Sequence, residues 1–156
     1  MQNRQVTRDI SYASSAQTKG GRAVIRMLEN ATAGRDFWEV MVERYGLSLN
    51  VVGGSLDNIP KSGPLILIAN HPYGILDGLI MGHILSNVRG DFRILANSVF
   101  KRAEELNRIL LPVSFDETKD AVRQNIATRK RSLEYLANGG AIGVFPGGTV
   151  ATAAKP

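Results

Sequence analysis

Leu65-Ile-Leu-Ile-Ala-Asn-His-Pro-Tyr-Gly-Ile-Leu-Asp-Gly78 is the stretch on which the reading of the whole chain turns. Its first half, with Pro64 in front, is a continuous apolar run from Pro64 to Ala69, the pattern of a parallel strand covered on both faces. Pro72 and Gly74 then force a sharp turn, and Gly78 to Ser86 reads as a helix. Asp77 opens that helix, where its carboxylate can cap the first turn or point back at the imidazole of His71. Strand, tight turn and helix in this order make the repeating unit of an α/β sheet, and His71 falls at the carboxyl end of its strand.

The same alternation continues outward in both directions. Downstream, Phe92 to Ala96 reads as a strand, Val99 to Asn107 as a helix and Ile109 to Phe115 as a strand. Thr118 to Asn138 reads as a long helix with Val122, Ile126, Leu133 and Leu136 along one side; it stops at Gly139-Gly140, and Ala141 to Phe145 is another buried-strand run. Upstream, Leu47 to Val52 resembles a strand, followed by a turn at Gly53-Gly-Ser55. Gly21 to Tyr45 carries a helical pattern in which Phe37, Trp38, Met41, Val42 and Tyr45 form one apolar face, with Gly46 as its stop. That face either packs on its own domain or lies shallowly in a membrane interface, a depth that suits Trp and Tyr. Residues 1–20 read as a polar arm and 21–156 as one α/β domain, a mainly parallel central sheet flanked by helices with an N-terminal helical segment.

Composition narrows the classes of function. The 156 residues are long enough for a real core, and 44% hydrophobic with 21% charged residues is the balance of a globular domain. There is no cysteine, which removes disulfides and thiolate chemistry. Two separated histidines are too few for a zinc site, so no metal is expected. The net charge of +5 favours an anionic partner: nucleic acid, an anionic membrane surface, or an acidic carrier. No nucleic-acid motif or aromatic–basic interleaving accompanies that charge, and nucleic acid is not expected as a partner. The polar start, Met1-Gln-Asn-Arg, leads into no apolar h-region, and no run approaches the ~18 apolar residues of a membrane span.

Two constellations could carry chemistry. The first is His71 with Asp77. Imidazole suits proton transfer near neutral pH, and a carboxylate on its other nitrogen fixes the tautomer and stabilises the imidazolium. A turn histidine beside a helix-capping aspartate is the structural alternative. The second is Gly139-Gly-Ala-Ile-Gly-Val-Phe-Pro-Gly-Gly-Thr149, a buried strand running into a loop whose backbone N–H groups can hold an anion. Gly143 and Gly148 have the spacing of a phosphate-binding P-loop, but Thr149 stands where the required lysine would be. His83 on the first helix and Arg129-Lys-Arg131 on the long one read as surface or packing residues, with anionic lipid or carrier contact a minor alternative for the latter. No nucleophile-elbow pattern surrounds Ser55.

Asn70-His-Pro-Tyr-Gly-Ile-Leu-Asp-Gly78 resembles the first motif of the glycerolipid (lysophospholipid) acyltransferase superfamily. Most of that superfamily spaces the His and Asp one residue closer; the five residues between them here match its bacterial hemolysin-labelled or lyso-ornithine-lipid acyltransferase branch. Phe145-Pro-Gly-Gly-Thr149 resembles the superfamily's third motif, with Gly147 where a Glu is usual. Arg93 to Arg102 and Leu111 to Glu117 resemble its second block, but Phe115-Asp-Glu117 lacks the Arg that commonly meets phosphate, which suggests an acceptor without the usual phosphate. The resemblance implies His71 as general base and Asp77 as its orienting partner, with Asn70, Gly74, Lys101, Arg102, Phe145, Pro146, Gly147, Gly148 and Thr149 as substrate-binding positions.

It further implies transfer of a fatty acyl group from an acyl carrier protein or coenzyme A thioester to a lysolipid hydroxyl, in phospholipid or ornithine-lipid biosynthesis. No bound cofactor is expected, the thioester being a co-substrate. The protein is expected to be cytoplasmic and peripheral on the inner face of the cell membrane, against an anionic membrane surface. Members of the superfamily are longer, so the chain is expected to be incomplete at its C-terminus. The alternative is a membrane-surface lipid-binding module with the same fold and no turnover.

Overall fold

In the computed structural model, residues 35–98, 100 and 104–147 are described. The sheet is built from β1 (Leu65–Ile68), β2 (Arg93–Asn97), β3 (Leu110–Val113) and β4 (Ala141–Val144) in the order β1-β4-β2-β3, every neighbouring pair parallel. The helices are α1 (Phe37–Arg44), α2 (Ile75–Arg89), α3 (Glu104–Asn107) and α4 (Lys119–Ala137). The expected α/β class and parallel sheet are what the chain adopts, and four of the five expected strands lie within two residues of their expected bounds. Leu47 to Val52 is the exception. It forms no strand, and Val52 is 94% exposed, because a period-2 pattern without a partner strand satisfies neither its backbone nor its apolar side chains.

Each helix has local reasons to start and stop. Asp36 caps α1 by accepting from the Glu39 N–H at 2.9 Å, and Gly46 follows it at φ +58°. Thr118 caps α4 by accepting from Ala121 N–H. α2 ends at Gly90, at φ +71°, and the Arg89 guanidinium ties that end to three backbone carbonyls, those of Pro60, Gly63 and Gly139, at 2.7–2.8 Å.

The core sits between α1, α2 and one face of the sheet. Phe37, Trp38 and Met41 of α1 meet Leu79, Met81 and Leu85 of α2, with Phe92 and Ile94 beneath. Trp38 packs edge-on to Phe37 at 5.0 Å and against Phe92 at 5.7 Å, and its indole lies where a Cβ on Gly82 would be. Burying each of these large side chains contributes roughly 1.5–3 kcal/mol. The Phe37/Trp38 face is therefore core, and its membrane-interface reading is excluded.

β1→α2→β2 and β3→α4→β4 cross the sheet in opposite directions, so the right-handed crossover rule places α2 and α4 on opposite faces. α4 packs on its face mainly against β3 and β4. β1, paired with β4 alone, turns Leu65 and Leu67 into the core and leaves Ile66 and Ile68 exposed, which corrects the expectation of a strand covered on both faces. α4 brings a second correction. Ala121, Thr128 and Ser132 face inward, while Val122, Ile126 and Leu133 are more than half exposed. Its rotation follows hydrogen bonds: Thr128 donates to the Pro112 carbonyl at 2.7 Å, and Asn125 brackets Ser114, accepting from its N–H and donating to its carbonyl. Those bonds satisfy backbone groups at the end of β3, of which the Pro112 carbonyl bond is buried.

Candidate active site

At the carboxyl end of β1 the chain passes through Asn70, exposed, to His71, then turns through Pro72 and Tyr73 into Gly74. Gly74 is buried and adopts φ +62° with ψ −117°, a combination closed to residues with a Cβ. This turn brings Asp77, in the first turn of α2, back beside His71. The Nδ1 of His71 lies 3.3 Å from the Asp77 Oδ2, with side chains 21% and 16% exposed. The two atoms are within ion-pair distance, although the buried Nδ1 does not complete a hydrogen bond of full geometry. The same carboxylate oxygen accepts from the Tyr73 N–H at 2.8 Å. Asp77 thus closes its own loop and faces the imidazole with one oxygen, and α2 begins with no side-chain cap.

Phe145, just beyond β4, stacks on the imidazole at 4.3 Å between ring centres and 25° between planes. Parallel pairing dictates this: Ile68 is level with Val144, so the chains leave β1 and β4 side by side. Pro146 and Gly147 follow, both exposed. Gly143 has no Cβ, and Met81 of α2 fills the space one would take, so β4 and α2 close up beneath the site. Burial lowers the His71 pKa from its ordinary value, and the Asp77 carboxylate opposes that shift in part. At neutral pH the imidazole is neutral. With its Nδ1 toward Asp77, its Nε2 carries the lone pair that can accept a proton.

The sequence-derived candidates fall into three groups. His71, Asp77, Gly74 and Phe145 are together, with Asn70, Pro146 and Gly147 in the two loops at the same end of the sheet. Lys101, Arg102, Gly148 and Thr149 lie outside the described residues. His83 is on α2 beside Asn87, away from this loop. The bond from Tyr73 N–H to Asp77 and the stacking of the Phe145 ring on the imidazole were not anticipated. The Gly within His-x5-Asp and the parallel run into Phe145 were the available signals. Among the described residues no group of His, Cys, Asp and Glu could hold a metal ion.

The family model described as "Acyltransferase" matches residues 50–155. Over 82 residues, 52% of its length, the chain is 30% identical to a protein of Phocaeicola vulgatus named lyso-glycine lipid O-acyltransferase. It is 29% identical over 82 residues to a protein of the same name from Bacteroides thetaiotaomicron. In both cases the match spans 29% of the relative's length, so the chain corresponds to less than a third of either. No solved structure matches it.

Proposed function

Because this chain belongs to the acyltransferase family, we propose that it carries the catalytic base of a lysolipid O-acyltransferase, moving a fatty acyl group from a thioester to a lipid hydroxyl. The observation that carries the reading is the half-buried His71–Asp77 pair under the Phe145 ring. His71 Nε2 takes the proton of the acceptor hydroxyl, and that oxygen attacks the thioester carbonyl. The C–S bond breaks as the tetrahedral intermediate collapses, and the leaving thiolate recovers the proton from the imidazolium. Asp77 holds the imidazole in place and offsets its charge at the moment it forms. Backbone N–H groups of the uncapped first turn of α2, at Ile75 and Leu76, and those near Gly147 are the donors closest to hand for the oxyanion. No cysteine is present and Ser55 caps a short turn by accepting from Asp57 N–H, which favours direct transfer over an acyl-enzyme.

The acceptor class we favour is the one in the relatives' name, a lyso-glycine lipid. Gly147 in place of Glu, and Phe115-Asp-Glu117 in place of an Arg, both fit an acceptor other than the usual phosphate-bearing one. The donor is an acyl carrier protein or coenzyme A thioester. We place the reaction at the inner face of the cell membrane, reached from the cytoplasm; the acceptor is a lipid, and the charge of +5 is attracted to an anionic surface. No described helix is long and apolar enough to cross a membrane.

The test is thioester consumption with a lysolipid acceptor by the full-length protein and its His71→Ala variant, beside thermal melts of both. Transfer is expected to fall by ~10²–10⁴-fold with the melt unchanged. A variant that keeps near wild-type rate removes His71 from the mechanism; a wild type that binds lysolipid without turnover leaves a lipid-binding module.

A further inference from the structure

The amino-terminal end of the sheet holds a cleft of about 380 Å³, within the size range of a small-ligand site. Arg93, Arg108 and Arg131 converge on it from the start of β2, the turn before β3 and the last third of α4. Leu110, Leu111 and the Tyr135 ring are among its walls. Arg93 is held flat, its guanidinium carbon 4.6 Å from the centre of the Tyr135 ring. Its Nη1 is engaged by Asp91 at 2.6 Å and the Phe92 carbonyl, and among the described residues Nη2 and Nε have no hydrogen-bond partner. Arg108 and Arg131 make no ion pair among the described residues. Three guanidiniums gathered in one cleft repel each other; among the described residues Asp91 and Glu134 stand against them, Glu134 being 3.9 Å from Lys130.

We propose that this cleft is a second ligand site, which takes a phosphate or phosphomonoester dianion. The planar forks of Arg93, Arg108 and Arg131 supply paired N–H donors that match tetrahedral oxygens, and the leucines border whatever the ester carries. The site is separate from the acyl-transfer site. Arg93 is level with Ile142 and Ile142 with Ile66, which precedes His71 by five residues, roughly 16 Å along the strand. A ligand here does not touch His71, and the proposal stands whether or not the chain transfers acyl groups.

The experiment is an NMR titration of the full 156-residue chain with inorganic phosphate, following the arginine Nε–Hε signals at ionic strength held constant with sodium chloride. Saturable shifts at Arg93, Arg108 and Arg131 are expected. Arg108→Gln and Arg131→Gln should each weaken phosphate binding about tenfold or more, since each removes a charge-assisted fork. Glu134→Gln should tighten it, by removing a carboxylate that lines the cleft. His71→Ala should leave it unchanged. Arg108, Arg131 and Glu134 are exposed, so unchanged amide spectra will show that their variants fold.

A second arm asks for the source of the phosphate, with zwitterionic vesicles containing or lacking phosphatidic acid. If the site takes a lipid headgroup, the Arg108→Gln/Arg131→Gln double variant loses the preference for phosphatidic acid and inorganic phosphate competes with it. If the ligand is a soluble phosphate, vesicle binding is the same in both proteins while phosphate binding drops. Shifts no larger than chloride produces, affinity unmoved by both arginine variants, or weakening by Glu134→Gln would each overturn the proposal.

Discussion

The two ends of this sheet put charge to opposite uses. At the carboxyl end a single imidazole is folded under Phe145, braced by Gly143 against Met81, and pushed by burial toward its neutral form. At the amino end three arginines line an open cleft. The same parallel strands supply both, so the difference comes from what covers each end. A packed end lets desolvation set the protonation state of one group, whereas an open end lets several like charges share solvent. A proton-transfer site and an anion site need those two environments respectively.

The largest effect should come from breaking the half-buried pair. Asp77→Asn removes the charge that offsets the imidazolium, while its amide oxygen can still accept from Tyr73 N–H, and acyl transfer should fall on the order of 100-fold or more. A steady-state assay on the full-length protein checks this. Packing beneath the site gives the next effect. Gly143→Ala drives a methyl into Met81 and should destabilise the protein by about 1–3 kcal/mol in chemical denaturation. Phe145→Ala should return water to the imidazole and raise its pKa toward the ordinary value, so the acid limb of kcat/KM should move to higher pH. At the open end, Arg131→Gln should change the melting free energy by no more than about 0.5 kcal/mol, because the side chain is exposed and makes no ion pair among the described residues. A large loss there would mean that the cleft is a structural cluster, and the contrast between the ends would fail.

Much of the packed end was legible in the sequence because its signals are local. The apolar run to Ala69, the Pro and Gly of the turn and the opening of α2 by Asp77 all lie within fifteen residues, Pro64 to Gly78. The meeting of His71 and Phe145 needed one further inference, that two buried runs pair in parallel. The open end was not legible. Arg93, Arg108 and Arg131 are far apart in sequence, and Arg131 reads on its own as one charge of a solvated helix. The rotation of α4 was hidden for a related reason. Val122, Ile126 and Leu133 form a good apolar stripe, but Asn125 and Thr128 are drawn inward by the backbone of β3, a tertiary demand that periodicity does not carry. Leu47 to Val52 failed for want of a partner strand, which no local pattern reports.

His71 is a half-buried imidazole facing Asp77, and NMR titration of its ring signals checks that it is held toward the neutral form. Because folding disfavours the protonated form, stability is expected to hold above the ordinary histidine pKa of about 6.5 and to decline as pH falls through the lower folded value. The account predicts a His71 midpoint below 6.5 in the wild type, and one lower still in Asp77→Asn, where burial acts without the opposing carboxylate. A midpoint at or above 6.5, or one that Asp77→Asn leaves unchanged or raises, would contradict it.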